Sequence, residues 1–167
     1  GHTELEAKLA RAVTERVPSM ERVRFTNSGT EGNLMNVQAA RAFTKRSKIL
    51  VFTGGYHGGV LYFRGGGSPI NVPFDALVAE YNDLDGVEKL VRANAKDLAC
   101  ILVEPMFGST GCVPAEKPFL EGLRRLTQEV GALLIFDEVM TSRLHPGGLQ
   151  AVHGVKPDLT TLGKYVG

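Results

Sequence analysis

The sequence predicts an α/β fold in which a mostly parallel sheet is flanked by helices. Short apolar runs alternate along the chain with segments whose apolar residues recur every three or four positions, which indicates alternating strands and helices. Two of the runs, residues 98–104 and 132–137, are apolar up to a terminal acid. Strands buried on both faces of a parallel sheet have this composition. With 167 residues, 43% of them apolar, the chain can form one domain with a sizeable core.

The predicted strands are short apolar or β-branched runs that lead into turn residues. In chain order they lie at 23–26, 48–52, 77–81, 98–104, 132–136 and 159–162. Because helical patterns separate most of them, parallel pairing is favoured.

The predicted helices combine helical spacing of apolar residues with start or stop signals. They lie at 3–17, from the polar turn 27–32 to about 45, at about 83–94 and at about 116–130. Pro18 ends the first helix, Asn82 and Asp83 cap the third, and Gly131 ends the fourth.

The polar turn contains Ser28, Gly29 and Thr30 between a predicted strand and a predicted helix. This arrangement presents free backbone N–H groups and the positive end of the helix dipole to an anion, with two hydroxyls beside them. A serine before a helix is also an ordinary N-cap. On spacing alone, both interpretations stay open.

The loop after strand 48–52 places Tyr56 and His57 among four glycines. Glycines allow the backbone to approach a ligand closely, and an aromatic ring can stack on that ligand. The alternative is a flexible loop whose two rings cover an edge of the core, and the loop by itself favours this alternative.

Asp137 and Lys164 form the most informative pair. Asp137 ends the apolar strand 132–136, and Lys164 follows the short run 159–162. Both are therefore expected at the carboxyl edge of the sheet, where ligands of open α/β sheets bind. A buried acid and an amine at one site suggest carbonyl chemistry through a Schiff base.

Charge and length argue against several classes of function. Nineteen basic and eighteen acidic residues give a net charge of +1 without a long basic run, so we expect neither nucleic acid nor an acidic membrane surface as a partner. No window approaches the ~18 consecutive apolar residues of a membrane span. Cys100 and Cys112 fit free thiols in a reducing cytosol. We therefore expect a cytoplasmic protein.

Motif spacing disfavours other chemistries. Gly163-Lys164 is not a nucleotide P-loop, because Asp158 stands where the first glycine is required. A Gly-x-Gly-x-x-Gly motif after the first strand and a Gly-x-Ser-x-Gly motif are both absent from the sequence. The four histidines lack the spacing of zinc ligands, so no metal site is predicted.

Five short motifs remain, and they are Ser28-Gly29-Thr30, Tyr56-His57-Gly58, Glu104-Pro105, Asp137-Glu138-Val139 and Thr161-Leu162-Gly163-Lys164. In this order the set resembles the class-III branch of the fold-type-I pyridoxal-phosphate (PLP) aminotransferases, and the resemblance covers nearly the whole chain. Residues 27–31, 54–59 and 137–143 are most similar to β-amino-acid (β-phenylalanine-type) transaminases. Glutamate-1-semialdehyde aminomutases are close behind.

The resemblance implies PLP as the cofactor and a role for each motif. Lys164 would bind PLP as a Schiff base and then move a proton during amino transfer. Asp137 would pair with the pyridine nitrogen and keep it protonated, so that the ring withdraws electrons. Ser28, Gly29 and Thr30 would bind the phosphate.

The resemblance also implies the walls of the site and its partners. Tyr56 would stack on one face of the ring and Val139 would press on the other, with His57 and Glu104 in supporting roles. The substrates would be a small amino acid and a keto acid, and the full-length protein would be a homodimer.

The extent and the reaction type are further expectations. The resemblance implies that residues 1–167 are part of the PLP-binding large domain, with an N-terminal segment and a C-terminal small domain outside them. We therefore expect this piece to be inactive by itself. An aminomutase, which moves an amino group within one substrate, and a non-catalytic remnant are the alternatives to an aminotransferase.

Overall fold

The computed structural model describes residues 3–166, in which most of the predicted helices and strands form. The helices are α1 (Glu4–Arg16), α2 (Gly29–Thr44), α3 (Leu84–Ala93), α4 (Lys117–Val130) and α5 (Gly148–His153). The strands are β1 (Lys48–Phe52), β2 (Ala76–Ala79), β3 (Leu98–Val103), β4 (Leu133–Asp137) and β5 (Leu159–Thr161). A short 3-10 helix spans Arg64–Gly66.

The five strands form one sheet in the order β2-β1-β3-β4-β5, and every neighbouring pair is parallel. The carboxyl ends of all five strands therefore lie at the same edge of the sheet. In this register Asp137 at the end of β4 pairs with Thr161 at the end of β5. The predicted convergence of strand ends is thus confirmed.

The core lies on both faces of the sheet, which explains why the central strands are apolar without interruption. Alternate residues of β1 and β3 point to opposite faces. Leu50 and Ile101 belong to the cluster under α3 and α4, whereas Ile49 and Cys100 belong to the cluster under α2. All six residues of β3 are buried. No helix among the described residues combines the length and the apolar composition needed to cross a membrane.

The strand predicted at 23–26 does not form, so that prediction was wrong. These residues lie in a segment without regular structure, and Phe25 is 37% exposed. The segment before them contacts β5 through side chains, because Ser19 Oγ lies 2.7 Å from Thr160 Oγ1. A run with strand propensity needs a neighbouring ladder to become a strand, and this run has none.

The sequence interpretation also missed one helix and the start of another. Helix α5 at Gly148–His153 follows a Gly- and Pro-containing stretch that reads as a loop. Helix α2 begins at Gly29, inside the predicted turn 27–32, because the side chain of Ser28 accepts a hydrogen bond from the Glu31 amide at 3.1 Å.

Candidate active site

Asp137 and His57 form a buried pair at the carboxyl edge of the sheet. Asp137 is 4% exposed and His57 is 2% exposed, and His57 Nδ1 lies 2.9 Å from Asp137 Oδ2. A carboxylate oxygen accepts hydrogen bonds, so Nδ1 is assigned as the donor of this pair. The other ring nitrogen, Nε2, is buried without a hydrogen-bond partner among residues 3–166.

Three donors hold the Asp137 carboxylate. Oδ2 accepts from Asn33 Nδ2 at 2.7 Å and from His57 Nδ1, and Oδ1 accepts from the backbone amide of Val139 at 3.1 Å. A carboxylate offers about four acceptor positions. The described residues therefore occupy both positions on Oδ2 and one on Oδ1. One position on Oδ1 remains for a further N–H donor.

Asn33 is a site residue that the sequence interpretation missed. It is 1% exposed, and its Nδ2 also donates to the carbonyl oxygen of His57 at 3.0 Å. Its Oδ1 accepts from Thr161 Oγ1 at 2.6 Å. The available signal was its spacing, because Asn33, Val37 and Ala40 recur on the buried stripe of α2. A polar residue on such a stripe needs buried partners.

The start of α2 combines both interpretations of its polar turn. Ser28 is an N-cap, and the Glu31 carboxylate returns to the Asn27 amide at 2.7 Å, which resembles a capping box. The N-cap uses an acceptor position of the Ser28 hydroxyl and leaves its O–H free to donate. The N–H groups of a first helical turn have no partner within the helix. Anion binding therefore stays compatible with capping.

Close packing joins the start of α2 to the ends of β1, β4 and β5. A Cβ added at Gly29 would lie 2.7 Å from Val139 Cγ2, and one at Gly163 would lie 3.1 Å from Val139 Cγ1. A Cβ at Gly58 would clash with the side chain of Thr30. Val139 therefore lies between the phosphate-site candidate and the segment that carries the lysine.

Lys164 is exposed and has an unusual backbone. Its φ is 61°, and the Tyr165 amide donates to the Gly163 carbonyl at 2.7 Å, which makes a γ-turn centred on the lysine. Lys164 lines the same cleft as Ser28, Gly29, Thr161 and Gly163. Five other predicted site residues do not line this cleft. Asp137, His57 and Glu104 are buried, and Tyr56 and Val139 are not in its lining.

The backbone amide of Tyr56 contacts the side-chain carboxyl group of Glu104. Tyr56 is 44% exposed and its ring centroid lies 5.5 Å from that of Tyr62, while its amide donates to Glu104 Oε2 at 3.0 Å. Glu104 is 4% exposed, and its Oε1 accepts from the Gly108 amide at 3.2 Å. Glu104 therefore ties the loop after β1 to the loop after β3.

Burial raises the pKa of the Glu104 carboxyl above its ordinary value. Nearby His57 and the amides of Tyr56 and Gly108 act in the opposite direction, whereas the Asp137 charge adds to the increase. The three titratable groups of this edge thus form one cluster.

Glu138 is a second residue whose role was missed. It is fully buried, and its carboxylate accepts from Thr141 Oγ1, from the amides of Leu149 and Gln150, and from Gln150 Nε2. Gly148, at φ 72°, lets the backbone pass this carboxylate, because a Cβ there would lie 2.6 Å from Glu138 Oε1. These contacts explain why α5 forms and hold the loop that follows Val139.

The comparison with protein families identifies the chain. The model of the class-III aminotransferases matches residues 2–167. The chain belongs to the class-III aminotransferases. The family resemblance inferred from the five motifs is therefore confirmed.

Two curated members of this family show high similarity. A beta-phenylalanine transaminase from Variovorax paradoxus is 55% identical over 100% of this chain and 38% of that protein. A glutamate-1-semialdehyde 2,1-aminomutase from Roseiflexus castenholzii is 48% identical over 99% of this chain and 42% of that protein. The chain spans less than half the length of these relatives.

Solved structures of the family agree with the fold. The beta-phenylalanine aminotransferase from Variovorax paradoxus superposes with a TM-score of 0.97, at 55% identity, over 99% of this chain and 38% of that one. A transaminase solved with PLP bound gives a TM-score of 0.89 at 35% identity, over 98% of this chain and 42% of that one. The predicted fold-type-I large-domain architecture is confirmed.

Replacing Glu104 by glutamine should change how stability depends on pH. Burial raises the folded-state pKa of Glu104 above its ordinary value of 4.5. In the pH range between 4.5 and the raised pKa, the folded chain therefore binds more protons than the unfolded chain. This stabilising contribution is fully present below pH 4.5 and is lost as the pH rises through the raised pKa. We expect the unfolding free energy of wild type minus that of Glu104→Gln to fall across this window in urea titrations.

The exposed Glu15→Gln variant is the matched control for this comparison. The difference in unfolding free energy between wild type and Glu15→Gln should not fall across this pH range as the difference for Glu104→Gln does. A Glu104→Gln difference that is flat or increases with pH would contradict the assignment of Glu104 as a buried carboxyl with a raised pKa.

Proposed function

We propose that the chain forms the PLP-binding part of an aminotransferase that moves an amino group from an amino acid to a keto acid. The observation that carries this proposal is the buried Asp137 carboxylate, which has one unoccupied acceptor position on Oδ1. It lies at the edge of the sheet where β5 ends and the segment with Lys164 begins. Family membership over residues 2–167 supports it. Residues 1–167 are then part of the large domain, with an N-terminal segment and a small domain outside them.

The residues present fit PLP. One acceptor position on Asp137 Oδ1 suits a single pyridinium N–H, and the start of α2 suits a phosphate. Val139 packs directly against Gly29 and Gly163, between these two places, where an aromatic ring needs an apolar wall. When bound, PLP supplies an electron-withdrawing ring that accepts the electrons left at the substrate carbon.

Each residue of the chain has a distinct task in this proposal. Asp137 holds a proton on the ring nitrogen through charge and a hydrogen bond. Lys164 would bind the cofactor carbonyl carbon covalently through Nζ with loss of water. Once the substrate amine has taken its place, the freed Nζ would accept and return a proton. Gly29 and Thr30 bind phosphate through backbone N–H groups, with the Ser28 hydroxyl beside them. Tyr56 and Val139 enclose the ring, and His57 and Glu104 support the site.

The substrate, the assembly and the location of the protein are further proposals. Similarity to a beta-phenylalanine transaminase favours a β-amino acid as the amino donor. We propose a homodimer in the cytoplasm, with small amino and keto acids as its ligands. A non-catalytic remnant of such an enzyme is the contrasting possibility, and covalent PLP binding by the chain would argue against it.

Replacing Lys164 by alanine should abolish site-specific covalent PLP binding. We expect borohydride reduction of the PLP-treated wild-type chain to leave one cofactor on the peptide that contains Lys164, as measured by mass spectrometry. Lys96→Ala is the matched control, because Lys96 is exposed and precedes β3 at the opposite edge of the sheet. An equal yield of adduct in Lys164→Ala would refute the assignment of the lysine.

The 167-residue chain by itself should not turn over at ordinary enzyme rates. The relatives are more than twice as long, and the resemblance implies that a small domain lies outside these residues. We expect amino transfer from β-phenylalanine to any of a panel of keto acids to stay far below the roughly 10 s⁻¹ of a typical enzyme. Turnover near that rate would show that the chain contains a complete site.

An aminomutase is the second candidate, favoured by the 48% identity to a glutamate-1-semialdehyde 2,1-aminomutase. In the full-length enzyme, incubation with a labelled amino donor and a separate keto acid distinguishes the two reactions. An aminotransferase should transfer the labelled nitrogen to the keto acid. An aminomutase should show little net exchange and instead isomerise glutamate-1-semialdehyde.

A further inference from the structure

We propose that Asn33 is a positioning residue that fixes the Asp137 carboxylate for its contact with the ring nitrogen and couples that contact to the start of α2 and the end of β5. This inference rests on the proposed function, because it names a further determinant of the same site. Asn33 itself does not touch the reacting atoms in this proposal; it acts through Asp137.

Asn33 connects three segments that are distant in sequence. From α2 its amide reaches Asp137 at the end of β4, the His57 carbonyl after β1, and Thr161 at the end of β5. The three contacts are 3.0 Å or shorter, and Asn33 is 1% exposed. A buried amide destabilises the fold unless it is hydrogen-bonded, so these contacts constrain one another.

A chain of donors fixes the orientation of the Asn33 amide. Asn36 Nδ2 donates to Thr161 Oγ1 at 2.9 Å, so the Thr161 hydroxyl hydrogen is directed to Asn33 Oδ1. The Asn33 NH₂ group must then face Asp137 and the His57 carbonyl. The oxygen and nitrogen of an asparagine are assigned from such networks, and here the network allows one assignment.

This orientation determines where the Asp137 carboxylate can accept another donor. Asn33 and His57 together saturate Oδ2, and the Val139 amide occupies one position on Oδ1. Without the Asn33 amide, Oδ2 would regain an acceptor position and the carboxylate would lose a restraint on its rotation. Asn33 therefore directs the ring nitrogen to a single position on Oδ1.

The helix couples this contact to the phosphate end of the site. Asn33 lies four residues after Gly29, which is about one helical turn and roughly 6 Å along α2. The first turn that offers N–H groups and the side chain that holds Asp137 are thus parts of one rigid element. Two carboxyl groups interact with His57 in this cluster. Asp137 Oδ2 lies 2.9 Å from Nδ1, and burial raises the pKa of Glu104 whereas His57 acts to lower it.

Four variants test the role of Asn33. Asn33→Asp removes the NH₂ group that donates to both Asp137 and the His57 carbonyl, and Thr161→Val removes the hydroxyl that orients the amide. Thr161→Ser keeps that hydroxyl and is its matched control. Gln38→Ala is the control for α2, because Gln38 is exposed and pairs only with Arg41 among the described side chains.

Affinity for PLP is compared with affinity for the ring-carbon analogue, in which CH replaces the ring nitrogen. We expect Asn33→Asp to weaken PLP binding by about ten- to a hundredfold, the effect of losing one hydrogen bond to a charged group. Thr161→Val should weaken it severalfold, and Thr161→Ser and Gln38→Ala should match wild type. Binding of the analogue should change little in every variant, since it offers no ring N–H.

A second measurement does not require the cofactor. In the chain labelled with ¹⁵N-histidine, the resonance of the His57 Nδ1–H proton is assigned by its loss in His57→Gln. Its chemical shift is sensitive to Asp137 Oδ2, the oxygen that accepts from both His57 and Asn33. We expect this resonance to shift in Asn33→Asp and Thr161→Val and to persist in Thr161→Ser. Should Asn33→Asp not fold, as judged by circular dichroism, the threonine pair still gives the comparison.

The outcomes separate this inference from the proposed function. Equal weakening of PLP and analogue binding, or an unchanged His57 resonance in both variants, would overturn the role of Asn33 even if Lys164 binds PLP. If wild type forms no adduct at Lys164, the proposed function fails, and the His57 resonance alone decides whether Asn33 positions Asp137. A selective loss of PLP binding supports both.

Discussion

The buried carboxylate of Asp137 is the interaction on which the rest of this edge depends. A charge removed from water destabilises a fold unless several donors satisfy it. Here the donors come from three segments: the Asn33 side chain on α2, the His57 ring after β1 and the Val139 amide after β4. Removing any one of them would leave an acceptor of a buried anion unpaired. The carboxylate and its three donors therefore stabilise the relative positions of these segments.

The parallel sheet makes this convergence possible. Because all five strands end at one edge, loops far apart in sequence meet there, and each brings one group to the cluster. Glu104 and Glu138 act in the same manner as Asp137, since both are buried carboxyl groups that accept hydrogen bonds from backbone amides of other segments. Glu104 binds the loops after β1 and β3, and Glu138 binds the loop after β4 to α5. The acids at the strand ends thus organise the loops of the site as well as its chemistry.

Membership of the class-III aminotransferases supports the proposal that these residues serve one cofactor site. An aromatic cofactor with a phosphate at one end and a basic ring nitrogen at the other needs two fixed anchors. In the proposed site α2 would contribute to both, through the N–H groups of its first turn and through Asn33 one turn later. The lysine segment reaches the same edge through the pairing of β5 with β4, and Val139 packs against both Gly29 and Gly163. The chain spans less than half the length of these relatives, and the residues proposed as anchors lie around one sheet.

The sequence by itself determined the alternation of strands and helices, the parallel arrangement, and the placement of Asp137 and the Lys164 segment at one edge. These features follow from local patterns, namely uninterrupted apolar runs, caps and the residue that ends each strand. Only the tertiary structure decided the partners of Asn33 and Glu138 and the unpaired state of residues 23–26. Asn33 meets Asp137 across 104 residues and Thr161 across 128, so no local pattern records those bonds. A strand likewise depends on a neighbour that its own residues cannot specify.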